Sequence, residues 1–162
     1  MTNLKLLITG VTGSGKTAVG MALAEKLGLH FVEGDSLHPQ ANLDKLASGV
    51  LLSDEDREPW IENILEALTE PNVVIAAALL KRSHRKRIQK AHRDAKFIQL
   101  TAPMRVLAAR IQDREKFFRQ DLLDSQLVLL DPLRRDERGS AYDSTQSVSD
   151  LVKQITFDLV KK

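Results

Sequence analysis

Residues 10 to 17 read Gly-Val-Thr-Gly-Ser-Gly-Lys-Thr, and no other stretch constrains the fold as tightly. They satisfy the spacing G-x-x-x-x-G-K-[ST] at every required position. Glycines at 10, 13 and 15 let successive backbone N–H groups turn toward an anion without interference from a Cβ. A helix beginning at the end of such a loop adds a dipole that favours bound phosphate. Lys16 is then placed to neutralise the β- and γ-phosphates of a nucleotide, and the Thr17 hydroxyl to hold Mg²⁺. The pattern needs a strand before it and a helix after it. Leu4 to Thr9 reads as that strand. Ala18, Met21, Ala22, Ala24 and Leu27 read as the helix, which stops at Gly28. A glycine-rich turn with no ligand is the plain alternative, and this context argues against it. Gly10, Val11, Thr12, Gly13, Ser14, Gly15, Lys16 and Thr17 are therefore the candidate nucleotide-binding residues, with ATP and Mg²⁺ as the expected cofactors.

The rest of the chain supplies the sheet that such a loop requires. Phe31–Glu33, Val73–Ala78, Phe97–Leu100 and Ser140–Asp143 read as further strands. The run at 73 to 78 is apolar throughout, as in a strand buried on both faces. Between them lie helical patterns: 42 to 47, a helix from about Asp56 carrying Trp60, Ile61, Ile64, Leu65 and Leu68, Arg82 to Arg93, Met104 to Asp113, and a last helix opened by Ser147-Val148-Ser149-Asp150 in the manner of a capping box. Asp54 to Arg57 reads as a polar turn, and Pro59 is tolerable only in a first helical turn. Strands alternating with helices predict an α/β fold, a mostly parallel sheet of roughly five strands covered on both faces. Ligands of such sheets bind beyond the C-terminal strand ends. That rule selects the loop, Asp35 with His38, the segment after Ala78 and the region after Leu100.

Residues 1 to 162 carry no repeat or low-complexity linker and are expected to form one domain. With no cysteine there is no disulfide framework, thiolate metal site or thiol nucleophile. No apolar run reaches the ~18 residues of a membrane span, so a cytoplasmic protein with no membrane partner is expected. Lys81, Arg82, Arg85, Lys86, Arg87, Lys90 and Arg93 form a basic cluster. No aromatic residues interleave with them to stack bases, and the net charge is only +2, so nucleic acid is not an expected partner. The first residues of this helix follow a strand end and can face an anionic substrate, while the others fit a solvated face.

A second constellation narrows the chemistry. Gly34-Asp35, His38-Pro39, Asn42, Lys45, Ser48-Gly49, Leu52, Asp54, Asp56-Arg57 and Pro59-Trp60 follow one another within residues 33 to 60. Together with the loop, this skeleton resembles the gluconokinase family of small phosphate-loop kinases. Looser similarity continues through Leu79 to Ser83, Leu122 to Gln126 and Asp131-Pro132. The resemblance implies a three-layer α/β/α P-loop kinase fold with a helical lid near 112 to 126. It also implies transfer of the ATP γ-phosphate to the 6-hydroxyl of D-gluconate or a closely related sugar acid, and a homodimer.

The residues themselves fit such a reaction, which needs positioning and charge neutralisation more than covalent chemistry. Asp35 can sit beside the metal and accept the proton of the attacking hydroxyl; a turn cap is its simpler role. His38 can hydrogen-bond a polyol. Arg57 can hold a carboxylate in bidentate fashion, or pair with Asp54 or Asp56. Lys81 and Arg85 are the remaining acceptor-side candidates. Trp60 fits the core better than a substrate platform. Arg110 and Arg114, four apart, share a helix face; Arg114, beside the lid, is the candidate for stabilising the transferred charge, and Arg110 a candidate nucleotide contact.

The chain departs from the family pattern near its acceptor candidates. Aligned on Lys81, the usual Cys-Ser-Ala-Leu-Lys is replaced here by Ala77, Ala78, Leu79 and Leu80 before the lysine. His84, Arg85 and Lys86 stand for Tyr-Arg-Asp. Lys116 and Glu115 replace a histidine and a glycine in the lid, and Leu51 a proline. Losing one neutral hydrogen bond lowers affinity about 2–13-fold. A kinase for a different acceptor, such as shikimate, and a nucleotide-binding regulatory protein without acceptor chemistry are the two alternatives.

Overall fold

A computed structural model describes residues 3–112 and 120–161. Five strands form one sheet: β1 (Lys5–Thr9), β2 (His30–Glu33), β3 (Val73–Ala76), β4 (Lys96–Thr101) and β5 (Gly139–Asp143). Their spatial order is β2-β3-β1-β4-β5, and every pairing is parallel. β1 is central because its residues bury on both sides. Leu6 and Ile8 join a cluster with Val19, Leu23, Leu151, Val152 and Ile155. Leu7, pointing the opposite way along the pleat, joins Trp60, Ile61, Ile64, Leu68 and Ile88.

Among the described residues seven α-helices accompany the sheet: α1 (Lys16–Leu27), α2 (Gln40–Ala47), α3 (Asp54–Ala67), α4 (Arg82–Ala91), α5 (Met104–Gln112), α6 (Gln120–Leu129) and α7 (Val148–Val160). α1 and α7 supply the first cluster, α3 and α4 the second, which gives the three-layer arrangement. Beyond the C-terminal end of the sheet, Val11, Leu80, Leu107, Ile111 and Leu123 make a third, smaller cluster joining α5 and α6 to the loop after β1. The connection after β1 runs to β2 on one side of the sheet, and the connection after β3 crosses over to β4 on the other. Residues 10 to 17 therefore open at the point where the strand order reverses.

Helix starts differ from expectation in one informative place. The stretch expected as a turn at Asp54 to Arg57 is the first turn of α3, because Ser53 caps it. Its side chain accepts from the Asp56 N–H at 3.0 Å, and the Asp56 carboxylate accepts from the Ser53 N–H at 3.0 Å. An aspartate thus closes a reciprocal capping box in place of the usual Glu or Gln. Pro59 consequently lies in the second turn of α3, not the first. At α7, Ser147 accepts from the Asp150 N–H, as the sequence indicated. β3 ends at Ala76, two residues short of the strand expected over 73 to 78. After it, Leu79 N–H donates to the Thr9 hydroxyl at 2.9 Å, and Asp131 N–H to the Leu80 carbonyl at 2.8 Å, so residues 77 to 81 are tied to the loop side of the sheet.

Candidate active site

The loop after β1 has the conformation its glycines permit. Gly13 and Gly15 sit at φ +82° and +96°, in the left-handed region that a side chain disfavours. Ser14 N–H bonds the Val11 carbonyl at 3.1 Å, and Lys16 Nζ reaches the same carbonyl at 3.1 Å. Ser14 Oγ and Thr12 Oγ1 are buried with no hydrogen-bond partner among the described residues. Such orphaned polar atoms within an amide-lined loop at a helix N-terminus fit an anionic ligand.

Facing the loop is the end of β2. Thr17 Oγ1 donates to Glu33 Oε2 at 2.6 Å, and Gly34 starts a single 3-10 turn, Gly34–Leu37, that carries Asp35. The turn lies hard against β3: a Cβ on Gly34 would stand 2.3 Å from the Ala76 carbonyl oxygen. Only glycine fits there, and this approach is what brings Asp35 to the site. Thr17, Glu33 and Asp35 offer only oxygen donors, the set that suits Mg²⁺ beside nucleotide phosphates. Glu33 had no role in the sequence reading. Its signal was present, an acidic residue at the C-terminal end of a strand beside the loop, but the strand pairing that brings it to Thr17 was not.

A cleft beside the loop gathers Asp35, His38, Arg57, Trp60, Ala78 and Gln126. Trp60 is in the core, 2% exposed, as expected. It also shapes the cleft. Its Nε1–H donates to the Gly34 carbonyl at 2.9 Å, and its ring stacks on His38 with centroids 4.6 Å apart and planes 8° from parallel. Asn42, itself buried, donates to the Asp56 carbonyl at 2.8 Å and lies 3.1 Å from His38 Nδ1. An amide N–H facing Nδ1 leaves the proton on Nε2. Burial lowers the His38 pKa from its ordinary value, with Arg57 adding to the effect and Asp35 opposing it. His38 is therefore a neutral hydrogen-bonding group.

Arg57 lies on the wall shared with an adjoining groove that also contains Lys81, Leu51 and Val128. Burial lowers its pKa against the pull of Asp54 and Asp56, yet the guanidinium stays charged. Asp54 collects the basic side chains here: Lys81 Nζ at 2.8 Å, His84 Nε2 at 3.8 Å and Arg57 Nη1 at 3.9 Å, with burial lowering the His84 pKa. Lys81 thus borders the groove and not the cleft itself.

Arg85 is not brought to the cleft. It is 0% exposed, with Nε on Glu137 Oε1 at 2.7 Å and Nη2 on Oε2 at 3.1 Å. Nη1 donates to the Leu79 and Leu80 carbonyls, each at 3.0 Å, and Nη2 reaches the Pro132 carbonyl at 3.5 Å. These contacts use all the donors a guanidinium has, so the expected anion contact is corrected to a structural one. α4 turns Arg85 inward, onto a carboxylate 52 positions away in the chain.

Arg110 bonds the Gly13 carbonyl at 3.0 Å and the Ser144 carbonyl at 2.5 Å, joining the loop to the segment after β5. Arg110 thus stands against the loop. Arg114, with Glu115, Lys116 and the rest of residues 113 to 119 of the expected lid, lies outside the described residues.

The shikimate kinase family model matches residues 12–156. A probable gluconokinase of Xenopus tropicalis is 33% identical over 178 residues, covering 97% of this chain and 94% of that protein. A gluconokinase of Gluconobacter oxydans is 39% identical over 138 residues, covering 82% of this chain and 78% of that one. The crystal structure of a gluconokinase from Sinorhizobium meliloti superposes with a TM-score of 0.90 at 36% identity, covering 98% and 93% of the two chains. The all-parallel sheet, the loop at its switch point and these relatives agree. The chain belongs to the gluconokinases, within the shikimate-kinase-like group of P-loop small-molecule kinases.

Proposed function

We propose that the protein phosphorylates D-gluconate at its 6-hydroxyl, with ATP as donor and Mg²⁺ as the metal. The observation that carries this reading is the cleft that holds Asp35, His38 and Arg57 and whose wall residue Gln126 bonds the phosphate-binding loop. Mg²⁺ and ATP, when bound, supply a charge-neutralised γ-phosphoryl group open to in-line attack. Residues 10 to 15 present backbone N–H groups to the phosphates. Lys16 exchanges the Val11 carbonyl for phosphate oxygens, and Thr17 with Glu33 and Asp35 forms the oxygen-donor side that suits the metal. Arg57 takes the carboxylate of the sugar acid, with Lys81 strengthening the field at the cleft rim. His38 donates from Nε2 to a hydroxyl. Asp35 receives the proton of the attacking 6-hydroxyl as its oxygen bonds to phosphorus, and ADP leaves.

Asp35→Asn tests the assignment. Turnover is expected to fall about 10²–10⁴-fold, with ATP binding retained because the loop is untouched. Full turnover in the variant would remove Asp35 as the base.

A further inference from the structure

Gln126, on α6, touches both halves of the site. Its Oε1 accepts the Thr12 N–H of the phosphate-binding loop at 2.6 Å, and the same residue lines the cleft with Asp35, His38 and Ala78. A backbone N–H can only donate, so this contact fixes the orientation of the carboxamide: oxygen toward the loop, Nε2 away from it. No hydrogen bond to Nε2 is formed among the described residues, and its two N–H donors adjoin a cleft built for a molecule rich in hydroxyl oxygens. Asp35 and Arg57 are committed by charge to a proton and a carboxylate. Ala78 offers no side-chain hydrogen bond. A neutral donor on the loop side of the cleft is what the remaining sugar hydroxyls lack.

We infer that Gln126 is a positioning residue that donates from Nε2 to one hydroxyl oxygen of the acceptor while Oε1 holds the Thr12 amide. This rests on the sugar-acid kinase reading and extends it. The consequence is a geometric tie. A single rigid carboxamide spans from the donor loop to the acceptor, so α6 can be in place for the sugar only when it is also in place against residues 10 to 15. A neutral, bidirectional group is required for this. A carboxylate keeps the loop contact but has no N–H for the sugar, and a methyl group loses both.

The experiment is a cycle of Gln126 variants against gluconates lacking the 2-, 3-, 4- or 5-hydroxyl in turn. Affinity is measured by calorimetry on protein loaded with Mg²⁺ and a non-hydrolysable ATP analogue, so the cycle does not depend on turnover. In the wild type, removing the hydroxyl that Gln126 reads is expected to weaken binding about 2–13-fold, the span of one neutral hydrogen bond. In Gln126→Ala and in Gln126→Glu that penalty is expected to vanish at the same single position, while penalties at the other positions persist. A purely structural glutamine would lower all affinities together and leave every penalty in place. Unchanged penalties at all four positions overturn the inference, as does a folded variant that binds no sugar acid, or loss of the fold in both variants. If the wild type itself binds no sugar acid, the gluconokinase reading falls, and the role of Gln126 with it.

Discussion

Replacing Arg85 by methionine separates a structural arginine from a substrate contact. The change removes a guanidinium that is 0% exposed and leaves Glu137, 9% exposed, with a charge and no partner of opposite sign at hydrogen-bond range. It also takes the Arg85 donor from the Leu79 carbonyl, while the Leu80 carbonyl keeps the Asp131 N–H. Breaking a buried pair from one side costs about 3–5 kcal/mol. In a chain of this size each kcal/mol lowers the melting temperature by about 2–4 °C, so a fall of roughly 6–20 °C is expected. The double variant Arg85→Met, Glu137→Leu should recover much of that loss, because the stranded charge goes with its partner. Thermal melts followed by circular dichroism supply the stability, and gluconate KM at a temperature where both proteins are folded supplies the function. Little change in KM is expected. A melting point within about 2 °C of the wild type, combined with a KM raised tenfold or more, would refute the structural assignment and return Arg85 to the substrate.

Ala78→Ser places a hydroxyl on the cleft wall and is expected to tighten gluconate binding by about 2–13-fold, read as a lower KM with ATP affinity unchanged. Ser53→Ala removes the cap of α3 and should cost about 0.5–2 kcal/mol in urea unfolding, with gluconate KM rising because Arg57 sits on the helix that the cap starts. Burial is the largest cause lowering both His38 and His84 below their ordinary pKa of 6.5. The unfolded chain therefore binds more protons just below that value, and stability is full above pH 6.5 and lost as pH falls through the two folded pKa values. His38→Gln and His84→Gln should each flatten that acid limb in urea titrations across pH 5 to 7.

The phosphate-binding loop, its flanking strand and helix, and the parallel sheet were legible in the sequence because each rests on local rules: glycine positions, apolar periodicity and strand–helix alternation. Asp35, His38 and Arg57 were legible as candidates, and they do meet in one cleft. What sequence could not supply was partnership at a distance. Glu33 meets Thr17 only because β2 pairs with β3 and not with β1. Arg85 had the residue type and the helix position of an anion contact, and is taken by a carboxylate that arrives on a separate segment. The expected turn at Asp54 was a helix start, since Asp56 did the work that the usual capping pattern assigns to Glu or Gln. Trp60 was read correctly as core, yet the stacked histidine that makes it part of the cleft wall carries no periodic signature.

The most direct test of a sugar-acid kinase is to incubate the purified protein with ATP, Mg²⁺ and D-gluconate and follow the phosphorus resonances, with shikimate in a parallel sample. Formation of 6-phosphogluconate in step with ADP, and no phosphorylated shikimate, is the expected result. ADP without a phosphorylated sugar acid, or phosphorylated shikimate in place of 6-phosphogluconate, would contradict it.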